Sequence, residues 1–213
     1  MNLSEYNQVK DLTYLDYCNY LQKKYGVGLS DYFTPSFSKN PKVSRTRDGL
    51  FAHHKMEDTM VLLSTPEIAK LCPFAWQTKE NIVYCDYLEH LLLHVLICKY
   101  PSPHKVKNAD VGIGGVIAFL VPELNDLYSG WNTTQAWRKT CHDKVRNEKD
   151  VYLSILKTFI DWETENDSSF DVTILCRSGN APHGLWQEKK NKAIYSEIKA
   201  LAPKKRKKRE KTL

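Results

Sequence analysis

Apolar and aromatic positions at Leu12, Leu15, Tyr17, Cys18 and Leu21 recur at helical spacing and predict a helix over residues 3–25. Gly26, after Lys23 and Lys24, supplies its stop. Residues 30–48 lose this periodicity and gain Pro35, Pro41, serines and basic side chains, the composition of loops or short hairpin arms. The run 42–47 followed by Asp48-Gly49 predicts a strand, a turn and a second strand, the latter over residues 50–53. A long connection with a short helical stretch at 66–71, opened by Pro66, leads to Asn81 and a further strand over 82–85. Asp86 and Glu89 then form a capping-box pattern ahead of a helix over 87–98. Leu88, Leu91, Leu92, Val95 and Leu96 mark its buried face, and Pro101 and Pro103 end it.

Beyond Pro103 the pattern is mostly helical. A helix is expected over 110–127, interrupted near Gly114-Gly115 and Pro122, and helical spacing over 133–162 fits one long helix or two shorter ones. The β-branched alternation of 170–176 predicts a strand, 178–182 reads as loop, and 186–201 is amphipathic and helical. The class is α+β. The division follows the pattern: an N-terminal helical segment (1–40), a mixed unit (41–103), a mostly helical region (104–202) and a basic, disordered tail (203–213).

Composition narrows this little. Six cysteines without a C-x-x-C pair argue against a cysteine zinc site and a disulfide framework, and favour reduced thiols in the cytoplasm. The first residues carry no apolar leader, and no apolar run reaches the roughly 18 residues of a membrane span. The net charge of +6 is carried by the tail, where residues 204–211 hold seven basic residues and one acid. The rest of the chain is close to neutral.

The candidate chemistry lies in histidines. His53 and His54 are adjacent at the end of a predicted strand, and His90 and His94 are four apart on a predicted helix, hence on one face. Two such imidazoles with a third nitrogen from the pair can hold one metal ion and leave a coordination position open. Together with Asn81, nine residues before His90, this constellation resembles the HNH (ββα-metal, or His-Me finger) nucleases, with spacing similar to the colicin-type DNases. The resemblance covers about a quarter of the chain. It implies a ββα finger set among helical accessory segments, hydrolysing phosphodiester bonds in DNA. His54 would be the general base, His53, His90 and His94 the metal ligands, and Asn81 the brace that orients His54.

Two features depart from that pattern. The segment between His54 and Asn81 is long, and position 51, where the colicin-type enzymes carry an acid near the base, is Phe. Imidazole suits phosphodiester hydrolysis because it exchanges protons near neutrality. Three imidazoles favour Zn²⁺, Ni²⁺ or Mn²⁺ over Mg²⁺, which prefers oxygen, although Mg²⁺ is widely used in the family. Glu57 and Asp58 read as solvated loop acids, with orienting an imidazole or supplying a ligand as the alternative. His104, His142 and His183 read as structural or exposed.

Lys42, Arg45 and Arg47, with Lys39, are candidates for contact with the phosphodiester backbone, or a plain solvated surface. Lys204, Lys205, Arg206, Lys207, Lys208 and Arg209 form a polybasic arm suited to phosphates, and in a eukaryotic host would resemble a nuclear-import signal. RNA as substrate, and a non-catalytic metal finger that binds nucleic acid or protein, stay open.

Overall fold

The computed structural model describes residues 1–107 and 110–203. At its centre two short strands, β1 (Phe51–His54) and β2 (Ile82–Cys85), pair antiparallel in the register Phe51↔Cys85, Ala52↔Tyr84, His53↔Val83 and His54↔Ile82. A two-stranded ribbon is marginal alone and needs packing on both faces. β2 receives it: all four of its residues are buried. Val83 and Cys85 face the main core, while Ile82 joins a smaller cluster with Tyr32, Phe33, Val43 and Ala69. The Tyr84 hydroxyl donates to the Val43 carbonyl (2.8 Å) and accepts from the Leu29 amide (3.0 Å), which fastens the preceding loop to the ribbon.

The chain turns from β2 into the central helix. The capping box forms as expected: Asp86 accepts from the amides of Leu88 and Glu89 (both 2.9 Å), and Glu89 accepts from the Asp86 amide (2.7 Å). The α-amino group of Met1 also reaches Asp86, at 2.5 Å. With helices labelled in chain order, those before this one are α1 (Leu3–Val9), α2 (Tyr14–Tyr25) and the one-turn α3 (Pro66–Ala69), and this is α4 (Tyr87–Lys99). It has more than one buried face. Leu93 and Ile97 are as fully buried as Leu88, Leu91, Leu92, Val95 and Leu96, since neighbouring elements pack around it. Such all-round burial is the signature of a core helix.

Several expectations are corrected. The single helix over 3–25 is two, because Thr13 caps α2 by accepting from the Asp16 amide (3.2 Å), and residues between Val9 and Thr13 form a turn. The strand expected over 42–47 is replaced by two 3₁₀ turns, Pro41–Val43 and Thr46–Asp48. The Asn40 side chain accepts from the Lys42 amide (3.1 Å), Pro41 fixes its own φ, and Gly49 at φ +72° ends the second turn. The following strand begins one residue later than expected and includes His54.

Gly114-Gly115 does not interrupt the next helix. A π-helical segment, Gly115–Leu120, runs directly into α5 (Val121–Tyr128). The wider turn suits Pro122, which has no N–H for the turn before it. Residues 133–162 contain two helices, α6 (Ala136–Asp143) and α7 (Lys149–Asn166), the latter running on to 166. The strand expected over 170–176 is a 3₁₀ turn, Val172–Leu175, held by the Asp171 carboxylate on the Thr173 amide (2.9 Å). Only the second part of 186–201 is α-helical, as α8 (Lys192–Ala200), after a 3₁₀ turn. No helix among the described residues is long and apolar enough to cross a membrane.

The C-terminal helices are joined by a buried polar network. Glu123 on α5 accepts from Arg138 Nε (2.6 Å) and pairs with His142 Nε2 (2.7 Å), both on α6. Asp126, one turn on, accepts from Ser178 Oγ (2.8 Å), the Asn180 amide (2.9 Å) and Asn191 Nδ2 (2.6 Å). His142 is thus structural, as its sequence context implied. Burial opposes ionisation of Glu123, but His142 and Arg138 overcome it and hold its pKa down to about 2. A carboxyl depressed in the folded state stabilises the fold above its unfolded value of 4.5, and that stability is lost as pH falls from there toward 2. Glu123→Gln is expected to lower stability at neutral pH by on the order of 3 kcal/mol, and to flatten the loss below pH 4.5, in chemical denaturation followed at several pH values.

Candidate metal centre

The ββα arrangement brings the predicted ligands together. His53 comes from β1, and His90 and His94 from successive turns of α4. One ring nitrogen of each lies within 4.8 Å of the others. His90 Nε2 and His94 Nε2 are 3.2 Å apart, and the three rings form a near-equilateral triangle with centroid separations of 5.1, 5.2 and 4.9 Å.

Hydrogen bonds set the free nitrogen of His53. Tyr14 on α2 donates its hydroxyl proton to the His54 carbonyl (3.2 Å) and lies 2.9 Å from His53 Nε2. With the hydroxyl's one proton on that carbonyl, Tyr14 accepts from Nε2–H, the arrangement that leaves Nδ1 its lone pair. That Nδ1 is buried and has no hydrogen-bond partner. Burial, reinforced by the neighbouring imidazoles and opposed by Glu57, pushes the His53 pKa down to about 3, and burial also lowers those of His90 and His94. All three rings are therefore neutral at physiological pH, the state that binds metal. An orphaned, buried, neutral nitrogen facing two others fits a divalent cation. The donor set suits Zn²⁺, Ni²⁺ or Mn²⁺ better than Mg²⁺.

His54 ends the same strand but alternates to the other face. Its Nε2 lies 2.9 Å from Gln77 Oε1, and Gln77 Nε2 donates to the Leu63 carbonyl (3.3 Å). The amide orientation follows: its oxygen faces His54, so Nε2 carries the proton and Nδ1 is the acceptor. The ring is 1% exposed and packs against Tyr32, centroid to centroid 4.4 Å.

Asn81 does not reach His54. Its amide donates to the Ala75 carbonyl (2.8 Å), inside the turn Phe74–Gln77 that presents Gln77. The brace on the imidazole is Gln77 itself. Nothing in the sequence distinguishes Gln77 or Tyr14 from other polar residues, because both act across the fold. Glu57 is a different matter: four residues after His53, it is read as a solvated acid, yet its side chain is 17% exposed and turned toward the cluster. Its Oε1 lies 3.8 Å from His54 Nδ1, so the acidic neighbour missing at position 51 is supplied from the other side of the pair.

Of the basic candidates, Lys42 and Arg47 are exposed. Arg45 is engaged internally, with Asp48 (2.8 Å), the Tyr25 carbonyl (2.8 Å) and the Tyr84 ring. The tail residues Lys204–Arg209 lie outside the described residues. A cavity of about 500 Å³ opens at the cluster, walled by Glu57, His90 and His94 on one side and by Leu62, Phe119 and the 112–115 glycines on another.

Those glycines are close to the ligands for a steric reason. A Cβ on Gly115 would fall 2.3 Å from His94 Nδ1, and one on Gly112 (φ +84°) would fall 2.8 Å from the His94 carbonyl oxygen. A Cβ on Gly114 would meet nothing within 4 Å.

No family model, curated protein or solved structure matches the chain. The architecture itself is that of a ββα-metal finger: an antiparallel hairpin and a helix around a histidine cluster able to chelate a metal, enclosed by further helices.

Gly115→Ala must push the His94 ring. It is expected to weaken Zn²⁺ binding by roughly 10- to 100-fold, as supporting residues of metal ligands do. Gly114→Ala, in the same helical turn, is expected to leave affinity unchanged. Calorimetric titration of both variants checks the difference.

Proposed function

We propose that this chain is a metal-dependent endonuclease of the HNH type that hydrolyses phosphodiester bonds in DNA. One observation carries the reading: the strand that delivers His53 to the ligand cluster ends in His54, whose Nε2 is held by Gln77 and whose Nδ1 faces Glu57. A structural metal finger has no need of a second, oriented imidazole beside its ligands.

In this reading His53 Nδ1, His90 Nε2 and His94 Nε2 hold the ion. A bound divalent ion supplies Lewis-acid chemistry, offsetting charge on the scissile phosphate and on the departing 3′ oxygen. His54 Nδ1 takes the proton of the attacking water as the new P–O bond forms and the bond to the 3′ oxygen breaks. Gln77 holds the opposite edge of that ring, so the acceptor nitrogen keeps its aim. Asn81 acts one step further out, by fixing the turn that carries Gln77. Tyr14 ties the His53 ring and the His54 backbone to one hydroxyl. Lys42 and Arg47 lie exposed ahead of β1 and are the backbone contacts, with the Lys204–Arg209 arm adding salt-dependent, sequence-independent affinity.

One observation favours a second reading. His54 is buried and absent from the cavity wall, whereas Glu57 and Tyr32 line it. With the base permanently covered, the finger would be a metal-stabilised module for binding nucleic acid or protein.

Plasmid cleavage separates the two. Purified protein with Mg²⁺, Mn²⁺, Ni²⁺ or Zn²⁺ is expected to nick or linearise plasmid, and EDTA to stop it. His54→Ala is expected to lower the rate by at least about 100-fold while retaining metal and DNA binding, since a general base contributes about 10²–10⁴-fold. Gln77→Ala should cut the rate without loss of metal. Metal-loaded protein that cleaves neither DNA nor RNA would leave the binding module as the function.

A further inference from the structure

The cluster contains a carboxylate that the three-histidine site does not account for. Glu57 Oε2 lies 3.6 Å from both His53 Nδ1 and His94 Nε2, and Oε1 lies 3.8 Å from His54 Nδ1. These separations are too long for hydrogen bonds. The two contacts with His53 and His94 are close to the spacing of donors around one point, since nitrogen and oxygen ligands about 2.0–2.2 Å from a tetrahedral ion lie about 3.3–3.6 Å from one another. Glu57 stands outside the set of three whose ligand atoms all lie within 4.8 Å, and would have to close on His90 to complete the site. His90 and His94, 3.2 Å apart, show the same spacing.

The charge points the same way. A mostly buried carboxylate needs a positive partner or a metal. Among the described residues the ion pairs of Glu57 are with imidazoles alone. The nearest lysine in sequence, Lys55, turns away to Asn19 and Gln22. A cation held by the three histidines would stand beside that carboxylate.

Three histidines and a carboxylate would close a tetrahedral site, and a closed site is inert. Two features keep this one from being permanent. Glu57 stands on the single 3₁₀ turn Lys55–Asp58, not on a core helix, so it can swing without disturbing α4. It also lines the cavity together with His90 and His94, within reach of an entering oxyanion. The same side chain faces Nδ1 of His54, so its departure uncovers the base.

We propose that Glu57 is a displaceable fourth ligand, holding in the resting protein the coordination position that a substrate phosphate takes, and covering His54 until it leaves. The exchange trades a carboxylate oxygen for a phosphate oxygen and makes or breaks no bond to carbon or phosphorus. This inference rests on the metal-site reading above, and it reconciles a buried base with hydrolysis: a phosphate that binds also exposes the group that activates water.

The test uses the full chain loaded with Co²⁺, whose visible absorption reports coordination, and inorganic phosphate as the entering oxyanion. Glu57→Gln keeps size and removes charge. It is expected to weaken Co²⁺ binding by roughly 10- to 100-fold and to alter the spectrum. It should also tighten phosphate binding, since no carboxylate has to be displaced. Glu57→Asp, with its carboxylate one methylene shorter, should fall between the two. Circular dichroism confirms that each variant is folded. In the wild type, phosphate should shift the Co²⁺ spectrum saturably.

An identical spectrum and Co²⁺ affinity in Glu57→Gln would overturn the ligand assignment. A wild-type spectrum indifferent to phosphate would overturn the exchange and leave a closed site. Failure to bind Co²⁺ would overturn both this inference and the metal reading. Spectra behaving as expected, with no cleavage of any nucleic acid, would support the exchange and refute the nuclease.

Discussion

The rest of the site depends on a helix buried on nearly every side. α4 is buried along most of its surface and opens to the cavity only at His90 and His94, which it projects toward the strand that carries His53. Rings on a solvent-facing helix would sample rotamers and accept protons. Here the surrounding core fixes them and keeps them neutral. The capping box at Asp86 and Glu89 sets where α4 begins, and so fixes the phase of both histidines relative to β2 just before it. The small ribbon borrows its order from the same core through β2.

The local parts of this arrangement were legible in the sequence. The two strands, the capped helix and the i, i+4 histidines are short-range patterns, and each appears within a residue or so of its expected place. What could not be read were the contacts made across the fold. Asn81 resembles a brace by position, but the amide that meets His54 is that of Gln77, because the long 55–81 connection folds its own turn back onto the strand. The strand expected over 170–176 failed for a related reason. Its alternation is real, but among the described residues it pairs with no strand, and the Asp171 side chain captures the backbone instead. Glu57 escapes a sequence reading because charge patterning treats an acid in a loop as solvated, and the three imidazole nitrogens beside it are brought there only by the fold.

Catalytic and structural metal fingers differ less in their ligands than in what surrounds them. The three imidazoles here would hold an ion in either case. Gln77, aimed at His54, and the cavity beside His90 and His94 are additions that metal binding alone does not require. The apolar wall of that cavity, with Leu62 and Phe119 largely exposed, is unusual beside a site meant for a polyanion. Among the described residues no Lys or Arg lines the cavity.

The Tyr14 hydroxyl has a consequence for how this finger could be inherited or reused. It comes from α2, which ends at Tyr25, well before β1 begins at Phe51, yet it touches both a ring of the histidine cluster and the backbone of the neighbouring histidine. The finger is therefore no portable cassette. Transplanted without α2 into another host protein, β1, β2 and α4 would bring the three histidines but not the hydroxyl that meets His53 Nε2.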